Sequence, residues 1–307
     1  MDSLPMRVHP LGAAETAEAE LIDMVRAHYD NEPLMRLAGE IHFDTDLSRA
    51  DVAAAVQVYG RPLPQVVYLP CCGTLRHAPA ILKQGAGQVV AVDLSLPSLL
   101  AGLARNVPAE VRQHLSVHHG DIRDATPVLP RGGVELAFLG GNSLGDITAP
   151  AGHQAFVAAL AGALAPGGVL VFDYVADRYL PPGGQETTEW SQMWHGPDGD
   201  IEVIDRRTRR VAPLDGSGMA VLHVDCEILQ AATGRTVVAA HSYRKLIVPD
   251  ALLIRQFAAA GLHLENVGPV ADWSPYYRER IDRIDDLGML GEPCCWYRAE
   301  RCAGPRS

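Results

Sequence analysis

Gln65-Val-Val-Tyr-Leu-Pro-Cys-Cys-Gly-Thr-Leu-Arg-His77, followed by Val89-Val-Ala-Val-Asp-Leu-Ser95, decides the fold. Each stretch opens on a short unbroken apolar run and closes on a turn that feeds a helical pattern. The alternation continues as far as Tyr174. Strands are predicted at 66–69, 89–92, 115–118, 134–139 and 169–172, with helices at 76–83, 95–106 and 151–164. Continuous apolar strands separated by helices belong to a parallel sheet covered on both faces and wound from right-handed strand–helix–strand units.

Outward from this core the pattern changes on both sides. Leu21, Val25 and Tyr29 form one apolar stripe of a helix over 13–29, and a second helix is predicted to start at Ser48, with Asp51 completing a partial capping box. Gly60-Arg-Pro-Leu-Pro64 breaks the chain before the first strand of the core. Beyond Ala176, segments 201–211, 219–229 and 236–248 carry strand patterns around turn signals, and read as an antiparallel insert. Pro249 then opens a helix closed by Gly261, and strands are predicted at 262–267 and 295–301, with a helical excursion containing Trp273, Tyr276 and Tyr277 between them. The expected organisation is a helical cap over 1–64, an α/β core over 65–175, a β insert over 176–248, and a C-terminal helix with two closing strands over 249–307.

Twenty-six basic against thirty-seven acidic residues give a net charge of −11, which repels polyanions and argues against nucleic acid or an anionic membrane as partner. The Arg206, Arg207, Arg209, Arg210 run reads as a solvated strand face. No apolar run approaches the ~20 residues of a membrane span, and the first residues lack a signal-like apolar region, so a cytoplasmic location is expected. The six cysteines form no C-x-x-C pair, so no metal site is expected and they read as small core residues or free thiols.

In an open parallel sheet, ligands bind beyond the carboxyl ends of the strands. Three features fall there: the turn from Tyr68 to His77, Asp93 after the second strand, and Asp121 after Ser116-Val-His-His-Gly120. A carboxylate ending the second strand can accept hydrogen bonds from both hydroxyls of a ribose.

Four segments resemble, in order, the motifs of class I S-adenosylmethionine-dependent methyltransferases: Cys72-Gly-Thr-Leu-Arg-His77, Val92-Asp-Leu-Ser95, Gly120-Asp-Ile122 and Leu164-Ala-Pro-Gly-Gly-Val-Leu-Val-Phe-Asp173. Phe138-Leu-Gly-Gly-Asn-Ser-Leu-Gly145 is similar to the loop where donor meets acceptor in glycine, sarcosine and amino-sugar N-methyltransferases, and Tyr29-Asp30 to the start of their lid. The resemblance implies a Rossmann-like sheet, mostly parallel with its last strand antiparallel, S-adenosyl-L-methionine as cofactor and S-adenosyl-L-homocysteine as product. It implies cofactor contacts from Tyr29, Pro70, Cys71, Cys72, Gly73, Asp93, Leu94, Asp121, Ile122, Gly140, Gly141 and Asn142. The first motif departs from the family. Tyr68 or Leu69 stands where the family has an acid, and Cys71 and Leu75 stand where it has two further glycines.

The insert resembles the β roof that such enzymes place over a small-molecule acceptor. Asn142, Ser143, Trp194, His195 and Arg244 are the acceptor-binding candidates, and His195, His241 and Tyr243 the candidates for proton transfer. Methyl transfer leans on in-line positioning, because a sulfonium is already a good leaving group. The expected activity is therefore methyl transfer to an amine or hydroxyl of a metabolite. The alternatives are a binding protein of the same fold without activity, and an NAD-dependent dehydrogenase, which would need a G-x-G-x-x-G turn that Cys71-Cys-Gly-Thr-Leu-Arg76 does not supply. The oligomeric state stays open, a homodimer being one option.

Overall fold

Val89 and Ala91 point into one apolar core while Val90 and Val92 point into another, and the same period of two runs through the neighbouring strands. Both faces of the sheet are thus buried, which is why its strands read as continuous apolar runs. The computed structural model describes residues 8–11, 28–31, 45–175, 185–196, 199–214, 216–273 and 294–302. In chain order the strands are β1 (His9–Pro10), β2 (Val66–Pro70), β3 (Gln88–Asp93), β4 (Leu115–His119), β5 (Val134–Leu139) and β6 (Leu164–Val175). They continue as β7 (Gln185–Gly196), β8 (Gly199–Pro213), β9 (Ala220–Gln230), β10 (Thr236–Ile247), β11 (Leu262–Pro269) and β12 (Cys294–Arg301). The helices are α1 (Thr45–Tyr59), α2 (Ala78–Lys83), α3 (Leu96–Arg105), α4 (Pro150–Ala163) and α5 (Asp250–Ala259).

The main sheet has the order β1-β4-β3-β2-β5-β6-β12-β11. Strands β1 to β6 pair in parallel, and β12 runs antiparallel to both β6 and β11. The order reverses at β2, whose neighbours are β3 and β5, so this is the switch point where a crevice opens. Leu47, Val52 and Val58 of α1, Ile81 of α2 and Leu99 of α3 pack one face; Phe156 and Leu160 of α4 and Leu253 and Phe257 of α5 pack the other. The second sheet, β10-β9-β8-β7, is antiparallel throughout. Its end is tied to the core through Tyr174, whose hydroxyl donates to the Leu246 carbonyl and accepts from the Val248 amide at 3.1 Å.

Several expectations need correction. The helix expected from Ser48 begins at Thr45, and Ser48 and Asp51 do not cap it; both are buried, and both accept hydrogen bonds from Arg76. The insert has a strand the pattern missed, β7, because Gln185–Gly196 is mostly polar and lacks β-branched apolar residues. The two-residue β1, paired with β4, is too short to carry a pattern. Position 95 caps α3 rather than joining it, with Ser95 Oγ accepting the Ser98 amide at 3.1 Å. The expected helix over 13–29, apart from its last two residues, and the excursion over 274–293 lie outside the described residues. No helix of the described residues is long and apolar enough to cross a membrane.

Candidate active site

The turn after β2 holds three successive odd positions, Cys71, Gly73 and Leu75, at φ of 51°, 51° and 58°. Left-handed backbone costs a non-glycine residue roughly 1–2 kcal/mol. The turn therefore keeps a glycine-like path with two side chains that do not favour it. Its amides look back at β3. Cys72 donates to the Val92 carbonyl at 3.1 Å and Gly73 to Asp93 Oδ2 at 2.6 Å, while the Ser95 amide donates to Asp93 Oδ1 at 2.8 Å. Burial pushes the Asp93 carboxyl up to about 6, a rise tempered by the two amides that favour its ionised form.

Beside this turn lies an open cleft. Tyr29, Cys71, Gly73, Asp93, Leu94, Asp121, Ile122 and Ser143 line it, all singled out from sequence. Gly120 of the Gly120-Asp-Ile122 motif lines it too, and Asp146, Ile147 and Phe156, which sequence reading did not single out, complete the lining. A side chain at Gly73 would meet no atom within 4 Å, so the backbone there is open. At the far end Asp121 is held by its own neighbour: Arg123 Nη2 donates to Oδ2 at 2.6 Å, and the Arg123 amide to Oδ1 at 2.9 Å.

Pro70, Cys72, Gly140, Gly141 and Asn142 do not line the cleft. Pro70 is the buried end of β2, and Cys72 packs toward the core on the α1 side. Gly140 leaves room for His77, whose Cε1 would lie 2.8 Å from an added Cβ. Asn142, at φ 55°, is turned inward as a bracket: its amide donates to Asp173 Oδ2 at 3.1 Å, its Oδ1 accepts the Val175 amide at 3.3 Å, and its carbonyl accepts Lys245 Nζ at 3.1 Å. The turn this bracket supports presents Ser143 and Asp146 to the cleft. Asp146 pairs with Lys245 at 2.7 Å and accepts the Tyr29 hydroxyl at 3.0 Å.

His241, Tyr243 and Lys245 alternate along β10 and so share the inner face of the second sheet. The ring of His28 lies 5.2 Å from His241 and 4.7 Å from Tyr243, and 4.8 Å from its neighbour Tyr29. His241 Nδ1 sits 3.1 Å from the Ala239 carbonyl, which places the proton on Nδ1 and leaves Nε2 buried with no partner. Burial lowers the pKa of both histidines, so the rings are neutral at neutral pH; for His28 the nearby His241, Lys245 and Arg207 add to the effect. Across the sheet Cys226 separates His241 from Arg207, which pairs with the buried Asp205 at 3.0 Å.

The remaining candidates fall elsewhere. Arg244 is exposed and alternates to the outer face, and Trp194 packs with Val203, Ile228 and Val238 away from the cleft. The side chain of His195 lies outside the described part of the structure. His28 and Lys245 escaped sequence reasoning, although each had a signal. His28 adjoins Tyr29, and Lys245 continues the alternation of His241 and Tyr243. Asp146, three residues past Ser143, lies in the same short turn. No group of three or more His, Cys, Asp or Glu among the described residues is arranged to hold a metal ion.

No protein-family model matches the chain, and no curated protein matches it by sequence. Solved structures do match its fold. The CcbJ methyltransferase from Streptomyces caelestis aligns with a TM-score of 0.60 at 18% identity, over 83% of this chain and 96% of its own. An amino pentose methyltransferase from Micromonospora echinaspora, solved with S-adenosylmethionine bound, aligns at 0.56 and 19% identity, over 84% and 92%. A sugar N-methyltransferase from Streptoalloteichus aligns at 0.55 and 18% identity, over 98% and 99%. The chain has the Rossmann-like fold of class I methyltransferases, with a separate antiparallel sheet.

Proposed function

We propose that this chain binds S-adenosyl-L-methionine and transfers its methyl group to a small-molecule acceptor held under the second sheet. One observation carries the reading: Asp93 ends β3 at the switch point, its two oxygens each steadied by a backbone amide, at the wall of the cleft. Each oxygen keeps a further lone pair for a ribose hydroxyl. The backbone at Gly73, open on its cleft side, leaves room for the ligand to approach the turn. The residues present therefore fit a nucleoside cofactor.

The bound sulfonium would supply the methyl group. The protein's part is placement. Asp93 holds the ribose, Leu94 and Ile122 flank the base, and Cys71 and Gly73 offer backbone to the remainder. Tyr29 comes from the N-terminal segment to close the cleft, and Ser143 stands on the turn that faces the acceptor. The polar inner face of the second sheet receives the acceptor, and its neutral His241, with Nε2 free, is suited to take the proton that a methylated amine or an attacking hydroxyl releases. The His28 ring packs against it, and Tyr243 packs against His28. The matched structures act on sugars in two of the three cases, which supports an amine or hydroxyl of a sugar-like metabolite. The net charge of −11 supports a small molecule over nucleic acid.

Calorimetry with S-adenosylmethionine and S-adenosylhomocysteine tests the reading. Saturable binding of both is expected, and absence of binding at millimolar concentration would sink it.

A further inference from the structure

The turn after β2 brings no carboxylate to the cleft. Leu69 near the strand end is 2% exposed and packed in the core, and the Cys71 thiol is held neutral by burial. An S-adenosyl ligand that lays its ribose on Asp93 still carries an α-amino-acid head with an ammonium, and a buried ammonium needs an anion. Three carboxylates line the cleft. Asp93 accepts two backbone amides in the ribose position, and Asp121 is neutralised by the Arg123 guanidinium. The third is Asp146. Its Oδ2 accepts the Tyr29 hydroxyl at 3.0 Å, and its Oδ1 meets Lys245 Nζ as an ion pair at 2.7 Å. With one partner on each oxygen, this cleft-lining carboxylate keeps lone pairs that can accept a donor from a ligand.

Asp146 lines the same cleft as Cys71 of the turn and Asp93 at the ribose position. Resting on the cofactor reading above, we infer that Asp146 anchors the α-ammonium of the cofactor's amino-acid head, with Lys245 beside it as the cation for the α-carboxylate. A zwitterionic head adds one charge of each sign to an existing ion pair, so the sum stays neutral in a site that excludes water. Lys245 is itself fixed by the Asn142 carbonyl at 3.1 Å, and Tyr29 by Asp146, so the anchor also ties the N-terminal segment and the loop after β5 to the occupied cleft.

The test compares two ligands that share the nucleoside and its sulfur: S-adenosylhomocysteine, which has the amino-acid head, and 5′-methylthioadenosine, which lacks it. Wild-type protein is expected to bind the former more tightly. Asp146→Asn is expected to lose about tenfold or more of S-adenosylhomocysteine affinity, the scale of one hydrogen bond to a charge, and to keep its 5′-methylthioadenosine affinity within about twofold. Equal losses for both ligands, or no loss for either, overturns the inference while leaving cofactor binding intact. Failure of the wild-type protein to bind either ligand overturns the cofactor reading instead. Should Asp146→Asn not fold, wild-type protein carries the test. The affinity ratio of the two ligands is expected to fall as pH rises through the pKa of the ligand's α-amino group, and a constant ratio overturns the inference.

Discussion

The Gly73 amide donates to Asp93 Oδ2 at 2.6 Å, so the turn after β2 and the end of β3 are one unit, not two adjacent loops. Removing the carboxylate should therefore cost the protein a loop anchor as well as a ribose acceptor. Asp93→Ala is expected to weaken S-adenosylhomocysteine binding by roughly 1–3 kcal/mol, about 5- to 150-fold. Calorimetry on a variant whose circular dichroism matches the parent measures it. Unchanged affinity would remove Asp93 from the ribose role.

The same carboxyl gives a pH dependence whose sign differs between ligand binding and folding. Its folded pKa is raised to about 6 from 3.8, so the folded protein takes up a proton as pH falls through that window. For this group alone, stability of the ligand-free protein rises with acidification, because the buried charge is relieved. Binding should move the other way, since the ribose is held best by an ionised acceptor. S-adenosylhomocysteine affinity is expected to be flat above pH 7 and to decline below about pH 6. Asp93→Asn should remove that inflection, and an inflection that survives in Asp93→Asn would assign it to another group.

Cys71 and Leu75 share nearly the same strained φ, 51° and 58°, yet glycine should act oppositely at the two sites. Cys71 faces the cleft, so Cys71→Gly relieves roughly 1–2 kcal/mol of backbone strain against a somewhat smaller entropic cost. Its melting temperature should hold or rise. Leu75 is fully buried in the core, and Leu75→Gly loses a side chain whose deletion costs about 2–5 kcal/mol, more than the strain returned. A melting temperature that falls equally for both would mean that the φ values carry no strain.

Asp51 lies between two partners, with Arg76 Nη1 at 2.6 Å and His77 Nε2 at 3.0 Å, and all three side chains are largely buried. Asp51→Ala should destabilise by about 1–3 kcal/mol, because the buried Arg76 and His77 side chains each lose a carboxylate hydrogen bond. Chemical denaturation reads the loss directly. A change within about 0.5 kcal/mol would show that water replaces the carboxylate.

Asp51 also shows where sequence reasoning stops. Ser48 and Asp51 have the local pattern of a helix start, but their partner Arg76 is twenty-five or more positions away, across a strand crossing that no local pattern records. The core strands were legible because burial on both faces makes them uniformly apolar, as in Val134–Leu139, whose bounds match the expected 134–139. β7 was not, because a polar strand of an exposed roof resembles loop composition. In the cleft, Asp93 was legible from its place after an apolar run. Asp146 was not, since its relevance depends on Tyr29 and Lys245, both distant from it in sequence.

The last expectation concerns the roof. His241 keeps Nδ1 on the Ala239 carbonyl at 3.1 Å and leaves Nε2 free, with the His28 ring 5.2 Å away and Tyr243 4.7 Å from His28. If His241 takes the acceptor's proton, His241→Phe should lower kcat/KM by about 10²- to 10⁴-fold with the best acceptor from a panel of amino and hydroxy sugars. The S-adenosylhomocysteine affinity should stay within about twofold, because His241 is not among the residues that line the cleft. Tyr243→Phe keeps the packing and loses only a hydroxyl, so a drop of about tenfold or less is expected. The base also has to be neutral to act. Since burial lowers the pKa of His241, activity should persist to mildly acidic pH before falling. A His241→Phe variant that loses cofactor affinity as steeply as turnover would place the ring in cofactor binding instead, and one that turns over normally would leave proton removal to solvent.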